Sequence, residues 1–170
     1  MLLDHYRSPR NHGRLATATG RAEGHNPLCG DRIAVEVELN GDRLQRVAFE
    51  GSGCAISTAS ASLMTEAVAG HTAGEISQLF DQFRKAVTGD PAADLEPLGK
   101  LAVLCGVKDF PMRVKCATLA WHTLIAAMAG GGKVKVGSDT HQAKVILLAT
   151  GSVALPIPGS SPRRKGLQPF

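Results

Sequence analysis

Residues 33–39, IAVEVEL, put Ile33, Val35, Val37 and Leu39 on one side of an extended chain and Glu36 and Glu38 on the other. Alternation with period two is the pattern of a half-buried strand, not of a helix. Asn40-Gly41 follows, a dipeptide that suits tight hairpin turns because both residues tolerate positive φ. The chain then alternates again from Arg43 to Glu50, through Leu44, Val47 and Phe49. An antiparallel hairpin therefore precedes the first long helix, and the rest of the fold has to cover its apolar face.

The segments that could cover it are helical. Gly51-Ser52-Gly53-Cys54 ends the second strand, and ISTASASLMTEAVAG reads as a helix capped by Ser57 or Thr58 and stopped by Gly70. Residues 72–87 form a second helix, with Ile76, Leu79, Phe80 and Phe83 on one face and a capping box of Thr72 and Glu75. After a break at Gly89-Asp90-Pro91, the Leu-rich stretch 94–104 is partly helical and ends before Phe110-Pro111. Residues 114–128 make a long, Ala-rich, largely buried helix that stops at Gly130-Gly131-Gly132. Upstream, Pro9, Gly13, Gly20, Gly24 and Pro27 punctuate residues 1–32, which are expected to be irregular except for a short helix containing Leu2, Leu3 and Tyr6. Downstream, residues 134–136 and 145–148 are candidate strands, and the Pro- and Gly-rich end, PIPGSSPRRKGLQPF, is expected to be loose. A length of 170 residues fits one domain of ordinary size, and with only 4% aromatics its core has to be built from Ala, Val, Leu and Ile.

Charge and composition exclude several classes of function. The formal charge of +4 is spread along the chain, apart from Arg163, Arg164 and Lys165, and no RNA-binding or helix-turn-helix signature accompanies it, so no nucleic-acid partner is expected. The N-terminus, MLLDHYRSPRNHG, lacks the apolar stretch of a signal peptide, and no run of about 18 apolar residues is present to span a membrane. No Gly-Lys-Ser/Thr ending turns the glycine-rich pieces into a phosphate-binding loop. A cytoplasmic location is expected. Thiols stay reduced there, so four cysteines suggest metal or sulfur chemistry more than disulfides.

Three of those cysteines fall at boundaries between elements. Cys29 lies in a turn just before the first predicted strand, Cys54 between strand and helix, and Cys116 near the start of the long helix. Boundary positions let distant segments converge, and a helix N-terminus favours the thiolate form that a metal or an electrophile needs. Asp31, two residues after Cys29, would point to the same side of an extended chain and could complete a tetrahedral set of three thiolates and a carboxylate suited to zinc. No C-x-x-C pair is present, and spacing alone leaves a second reading open: buried cysteines that pack as small hydrophobes. Cys105 matches neither pattern and is expected to be inert. The six histidines show no metal-binding spacing and are expected to lie on the surface or in hydrogen bonds.

The residues themselves resemble a family. Asp4-His5-Tyr6 with Pro9-Arg10-Asn11, the stretch Asn26-Pro27-Leu28-Cys29-Gly30-Asp31, Gly51-Ser52-Gly53-Cys54-Ala55-Ile56-Ser57, and Phe110-Pro111-Met112-Arg113-Val114-Lys115-Cys116-Ala117 with Trp121 match, in order, the SufU-type proteins, relatives of IscU and of the N-terminal domain of NifU. The resemblance spans about residues 4–130. It implies an α+β fold, a small antiparallel sheet packed by helices, with residues 1–132 as the zinc-binding domain and 133–170 as a divergent extension. It also implies zinc on Cys29, Asp31, Cys54 and Cys116, with Cys29 as the thiolate that accepts persulfide sulfur from a SufS-type cysteine desulfurase and passes it to downstream iron–sulfur assembly proteins. Two features are similar to the SufU branch: Lys115 stands where IscU-type proteins carry a His, and residues 90–110 look like the insertion of SufU-type proteins. The alternative within the resemblance is a scaffold on which a [2Fe–2S] cluster is assembled and then transferred.

Overall fold

The computed structural model describes residues 1–136 and 143–146. The predicted hairpin is there. Strand β2 (Asp31–Asn40) pairs antiparallel with β3 (Arg43–Ser52), with Val35 opposite Phe49 and Val37 opposite Val47. The turn closes on Gly41-Asp42 between paired Asn40 and Arg43, one residue later than the Asn-Gly pair suggests, and Gly41 takes the positive φ. Ile33, Val35, Val37, Leu44, Val47 and Phe49 are all buried in the core.

Residues 1–32 are more regular than their punctuation predicts. A short helix α1 (Leu2–Arg7) is followed by a full strand, β1 (Gly20–Asn26), antiparallel to β2. This strand lacks the usual sequence signal because its inward residues are Ala22, Gly24 and Asn26. The small size of Gly24 follows from what lies above it. The helix α4 (Pro111–Met128) packs so closely that a Cβ on Gly24 would overlap Thr123 Oγ1, and one on Gly20 would overlap the Ala127 carbonyl. Large apolar residues, the ordinary mark of a strand, would push the helix away.

Two further strands complete the sheet in the order β3-β2-β1-β4-β5. Strand β4 (Gly132–Val136) runs parallel to β1, and β5 (Ala143–Ile146) is antiparallel to β4. The sheet is therefore antiparallel with one parallel pair, which the long helix α4 makes possible as the crossover. The second candidate strand starts two residues earlier than read from sequence, and its last two residues, 147 and 148, lie outside the described residues, as do Arg163, Arg164, Lys165 and the PIPGSSPRRKGLQPF end.

The helices lie on one face. Helix α2 (Ala55–Val68) begins earlier than predicted, because its N-cap is Cys54 rather than Ser57 or Thr58. Helix α3 (Ala73–Thr88) carries the predicted capping box: Thr72 Oγ1 accepts from Glu75 N, and Glu75 accepts from Thr72 N. The Leu-rich stretch is a 3₁₀ segment, Glu96–Val107, kinked at Gly99, whose Leu98, Leu101 and Leu104 are buried. Helix α4 starts at Pro111, three residues before the predicted start; proline fits the first turn, where its missing N–H has no helical partner anyway.

Aliphatic residues fill most of the core, as the composition requires, but its centre is aromatic. Trp121 stacks between Phe80 and Phe83, with ring centroids 5.5 and 5.1 Å away. Polar groups tie the helices together. Ser60 donates to the Ala117 carbonyl at 2.6 Å, and buried His5 pairs through Nδ1 with Ser62 Oγ at 2.8 Å, which clasps α1 to α2. The outer sheet face is not simply solvated either. Glu36 is buried there, accepting from Leu15 N and from Arg21, both at 2.8 Å.

His122, expected on the surface or in a hydrogen bond, packs its half-buried ring edge-on against Phe80 at 4.9 Å. Burial, and to a smaller degree the charge of Arg84, lower its pKa from 6.5 to about 4. A neutral native imidazole means that, between those two values, the unfolded chain binds more protons than the native one. Stability is then complete above pH 6.5 and is lost as pH falls towards 4, by up to about 3 kcal/mol. Urea unfolding at pH 7 and at pH 4.5 should show this loss, and it should be smaller in His122→Gln.

Candidate metal centre

Three junctions meet at one end of the sheet. The first is the β1–β2 hairpin, whose loop runs from Pro27 to Gly30. Gly30 N donates to the Asn26 carbonyl at 2.8 Å, and Gly30 adopts φ +74, a left-handed conformation that glycine takes without strain. This loop presents Cys29 to solvent, while Asp31, the first residue of β2, turns inward and is 1% exposed. The second junction is the β3–α2 corner with Cys54, and the third is the second turn of α4 with buried Cys116.

The ligand atoms of Cys29, Asp31 and Cys116 all lie within 4.8 Å of one another, and the Cys29 and Cys116 sulfurs are 3.2 Å apart. Cys54 stands beside this trio on the Asp31 carboxylate. Its backbone N–H donates to Asp31 Oδ1 at 2.9 Å, and its sulfur is 3.8 Å from Oδ2. The same sulfur accepts from Ser57 N at 3.4 Å, so Cys54 caps α2. The structure thus brings together all four residues singled out in the sequence, three as a tight cluster and Cys54 at its margin. The cluster contains no histidine.

The donor set fits a cation. Burial raises the Cys116 thiol far above its ordinary value, and hydrogen bonding with Asp31 and Cys29 and the charges of Cys54 and Asp31 act in the same direction. The helix N-terminus, expected to favour the thiolate, is outweighed here by burial among acidic groups. A soft divalent ion accepts sulfur and carboxylate oxygen together and offsets that crowding of negative charge.

Sequence reasoning missed one residue of the site. Asn26 is fully buried; its side-chain N–H₂ faces Cys116 Sγ at 3.6 Å, and its oxygen accepts from Leu28 N at 3.2 Å. The available signal was its place directly opposite Asp31 in the hairpin, which is visible only once β1 is recognised as a strand. The Arg113 guanidinium lies over the Phe110 ring at 4.5 Å. Lys115 is buried. Cys105 stays apart, half-buried in the 3₁₀ segment with its thiol pKa raised by burial. Among the described residues, no helix is long and apolar enough to cross a membrane.

The chain has relatives among known proteins. The chain is 42% identical over 132 residues, 76% of its own length and 87% of the other's, to a protein of Bacillus subtilis (strain 168) named zinc-dependent sulfurtransferase SufU. It is 41% identical over 128 residues, 75% of its length and 80% of the other's, to one of Streptococcus pyogenes serotype M1 named iron-sulfur cluster assembly scaffold protein IscU. Among solved structures it resembles a SUF-system protein of Fervidobacterium islandicum AW-1, described as an iron–sulfur cluster assembly scaffold, at 35% identity and a TM-score of 0.71, covering 75% of this chain and 93% of that one. The model of the NifU-like N terminal domain matches residues 1–117, within which all four cysteines, Asp31 and Asn26 fall, and the chain belongs to that family.

Proposed function

We propose that this protein is a zinc-dependent sulfurtransferase that accepts persulfide sulfur from a SufS-type cysteine desulfurase and delivers it to downstream iron–sulfur assembly proteins in the cytoplasm. The observation that carries the reading is the convergence of Cys29, Asp31 and Cys116, with Cys54 beside them, around a point that an exposed thiol can leave. Cys29, Asp31, Cys54 and Cys116 would hold the zinc, and residues 1–132 would carry the function, since every site residue lies within them. When bound, zinc supplies charge compensation that keeps the thiols deprotonated and shielded from oxidation.

The chemistry at the protein's own residues is a sulfur exchange. The Cys29 thiolate attacks the outer sulfur of the donor's persulfide; a new S–S bond forms at Cys29, the donor's S–S bond breaks, and the donor cysteine leaves as a thiolate. No outside oxidant or reductant is required. Cys116 is buried, while Cys29 and Cys54 are both exposed; the hairpin loop lets Cys29 approach a partner, whereas the Cys54 sulfur is held at the cap of a helix.

A scaffold that assembles and transfers a [2Fe–2S] cluster is the second reading. It is favoured by the name of the S. pyogenes relative and by the mixed sulfur and oxygen donors, since a weak oxygen ligand leaves a site labile. Metal analysis of the purified protein separates the two. About one zinc per chain and no iron colour, followed by stimulation of a desulfurase, supports the transferase; bound iron and sulfide support the scaffold. In Asp31→Ala, which removes an oxygen donor and the acceptor of Cys54 N, zinc affinity should fall by roughly tenfold or more in chelator competition. Unchanged affinity would remove Asp31 from the ligand set.

A further inference from the structure

The Cys29 loop and Cys116 come from chain segments 87 residues apart, and the Asn26 side chain bonds to both segments. Asn26 ends β1 directly opposite Asp31, so the two side chains emerge on the same inward face of the hairpin. Its amide orientation is fixed by chemistry. Leu28 N is a donor, and only Oδ1 can accept from it, at 3.2 Å; Nδ2 must then face Cys116 Sγ, 3.6 Å away. No water-exposed route offers either group another partner, because Asn26 is 0% exposed.

We infer that Asn26 is a positioning residue of the metal centre: it donates a hydrogen bond to the Cys116 thiolate while holding the loop that carries Cys29. The inference rests on the metal-binding reading above. A buried thiolate that shares a site with two further thiols and a carboxylate carries more negative charge than one divalent ion cancels. A neutral N–H donor withdraws part of it without adding a cation that would compete with the metal. The acceptor side of the same amide holds the turn through Leu28, so one planar group links the Cys29 loop to Cys116.

The two roles separate in Asn26→Asp. Aspartate is nearly isosteric and keeps the acceptor for Leu28 N, but it replaces the donor to Cys116 with an oxygen that repels the thiolate. Asn26→Ala removes both. Cobalt(II) is the probe, because the energy of its sulfur-to-metal charge-transfer band reports how strongly the thiolates donate, independently of any sulfur transfer. Both variants should shift that band to lower energy than the wild type, and zinc affinity in chelator competition should fall about 10–100-fold in Asn26→Asp.

If the hairpin role were the whole of it, Asn26→Asp would keep the wild-type band and affinity, and that result overturns the inference. Loss of the fold in both variants would assign Asn26 to the core and overturn it as well. Should the wild type itself bind neither cobalt nor zinc, the metal-binding reading fails and this one with it. A wild type that binds metal, beside variants with unchanged spectra, sinks the role of Asn26 alone.

Discussion

Zinc affinity should collapse in Cys116→Ser, by more than the roughly 10–100-fold that follows from losing a mere hydrogen-bond partner of a ligand. Cys116 is the one buried thiol of the three. It is 1% exposed, its sulfur lies 3.2 Å from that of Cys29, and α4 holds it rigidly over the end of the sheet. Serine differs by little more than the sulfur, so the packing of α4 against α2 and β1 should survive. What it lacks is a soft, readily deprotonated donor; an alcohol at neutral pH offers a divalent ion only a weak oxygen. The measurement is chelator competition, with circular dichroism as the check on folding. A wild-type affinity would identify Cys116 as a packing thiol, the very alternative that sequence spacing leaves open.

The same position shows what could be read from sequence and what could not. Hairpin β2–β3 is legible because Ile33, Val35 and Val37 alternate with residues of the outer face, and α3 because Thr72 and Glu75 declare its start. Strand β1 is hidden because its buried residues are Ala22, Gly24 and Asn26, and the reason position 24 has to be glycine lies in α4, about a hundred residues away. The parallel pairing of β4 with β1 is equally non-local, since nothing in residues 132–136 names their neighbour.

The site follows the same division. Its sulfur and carboxylate donors were identifiable as types at element boundaries and by family resemblance. Their environment was not. A thiol at a helix start suggests a lowered pKa, but burial beside Asp31 and Cys29 reverses the direction for Cys116. A serine or threonine looks like the natural cap of α2, yet Cys54 takes that place, since its sulfur reaches Ser57 N while its own N–H is held by Asp31. Asn26 looked like part of a motif with no chemistry of its own until the hairpin register set it opposite Asp31.

The different placement of the thiols leads to the second large effect. Cys29→Ala should abolish sulfur acceptance from a cysteine desulfurase, by roughly two orders of magnitude or more, because the exposed thiol that remains, Cys54, is held at the cap of α2. The contrast with Cys54→Ala gives the test its force. Both variants remove a proposed zinc ligand, so both should retain less metal, and a loss of activity in both could be blamed on that alone. The geometry separates them. Both thiols are exposed, but Cys29 sits on a loop whose Gly30 has open space around it, whereas the sulfur of Cys54 accepts from Ser57 N at the cap of α2 and its backbone is anchored to Asp31. After incubation with desulfurase and cysteine, intact-protein mass spectrometry should show a gain of one sulfur on wild type and on Cys54→Ala, mapped to Cys29, and none on Cys29→Ala. A persulfide found on Cys54 in Cys29→Ala, formed at the wild-type rate, would transfer the acceptor role to the helix cap. It would also mean that the exposed hairpin loop serves to hold the metal rather than to receive the sulfur.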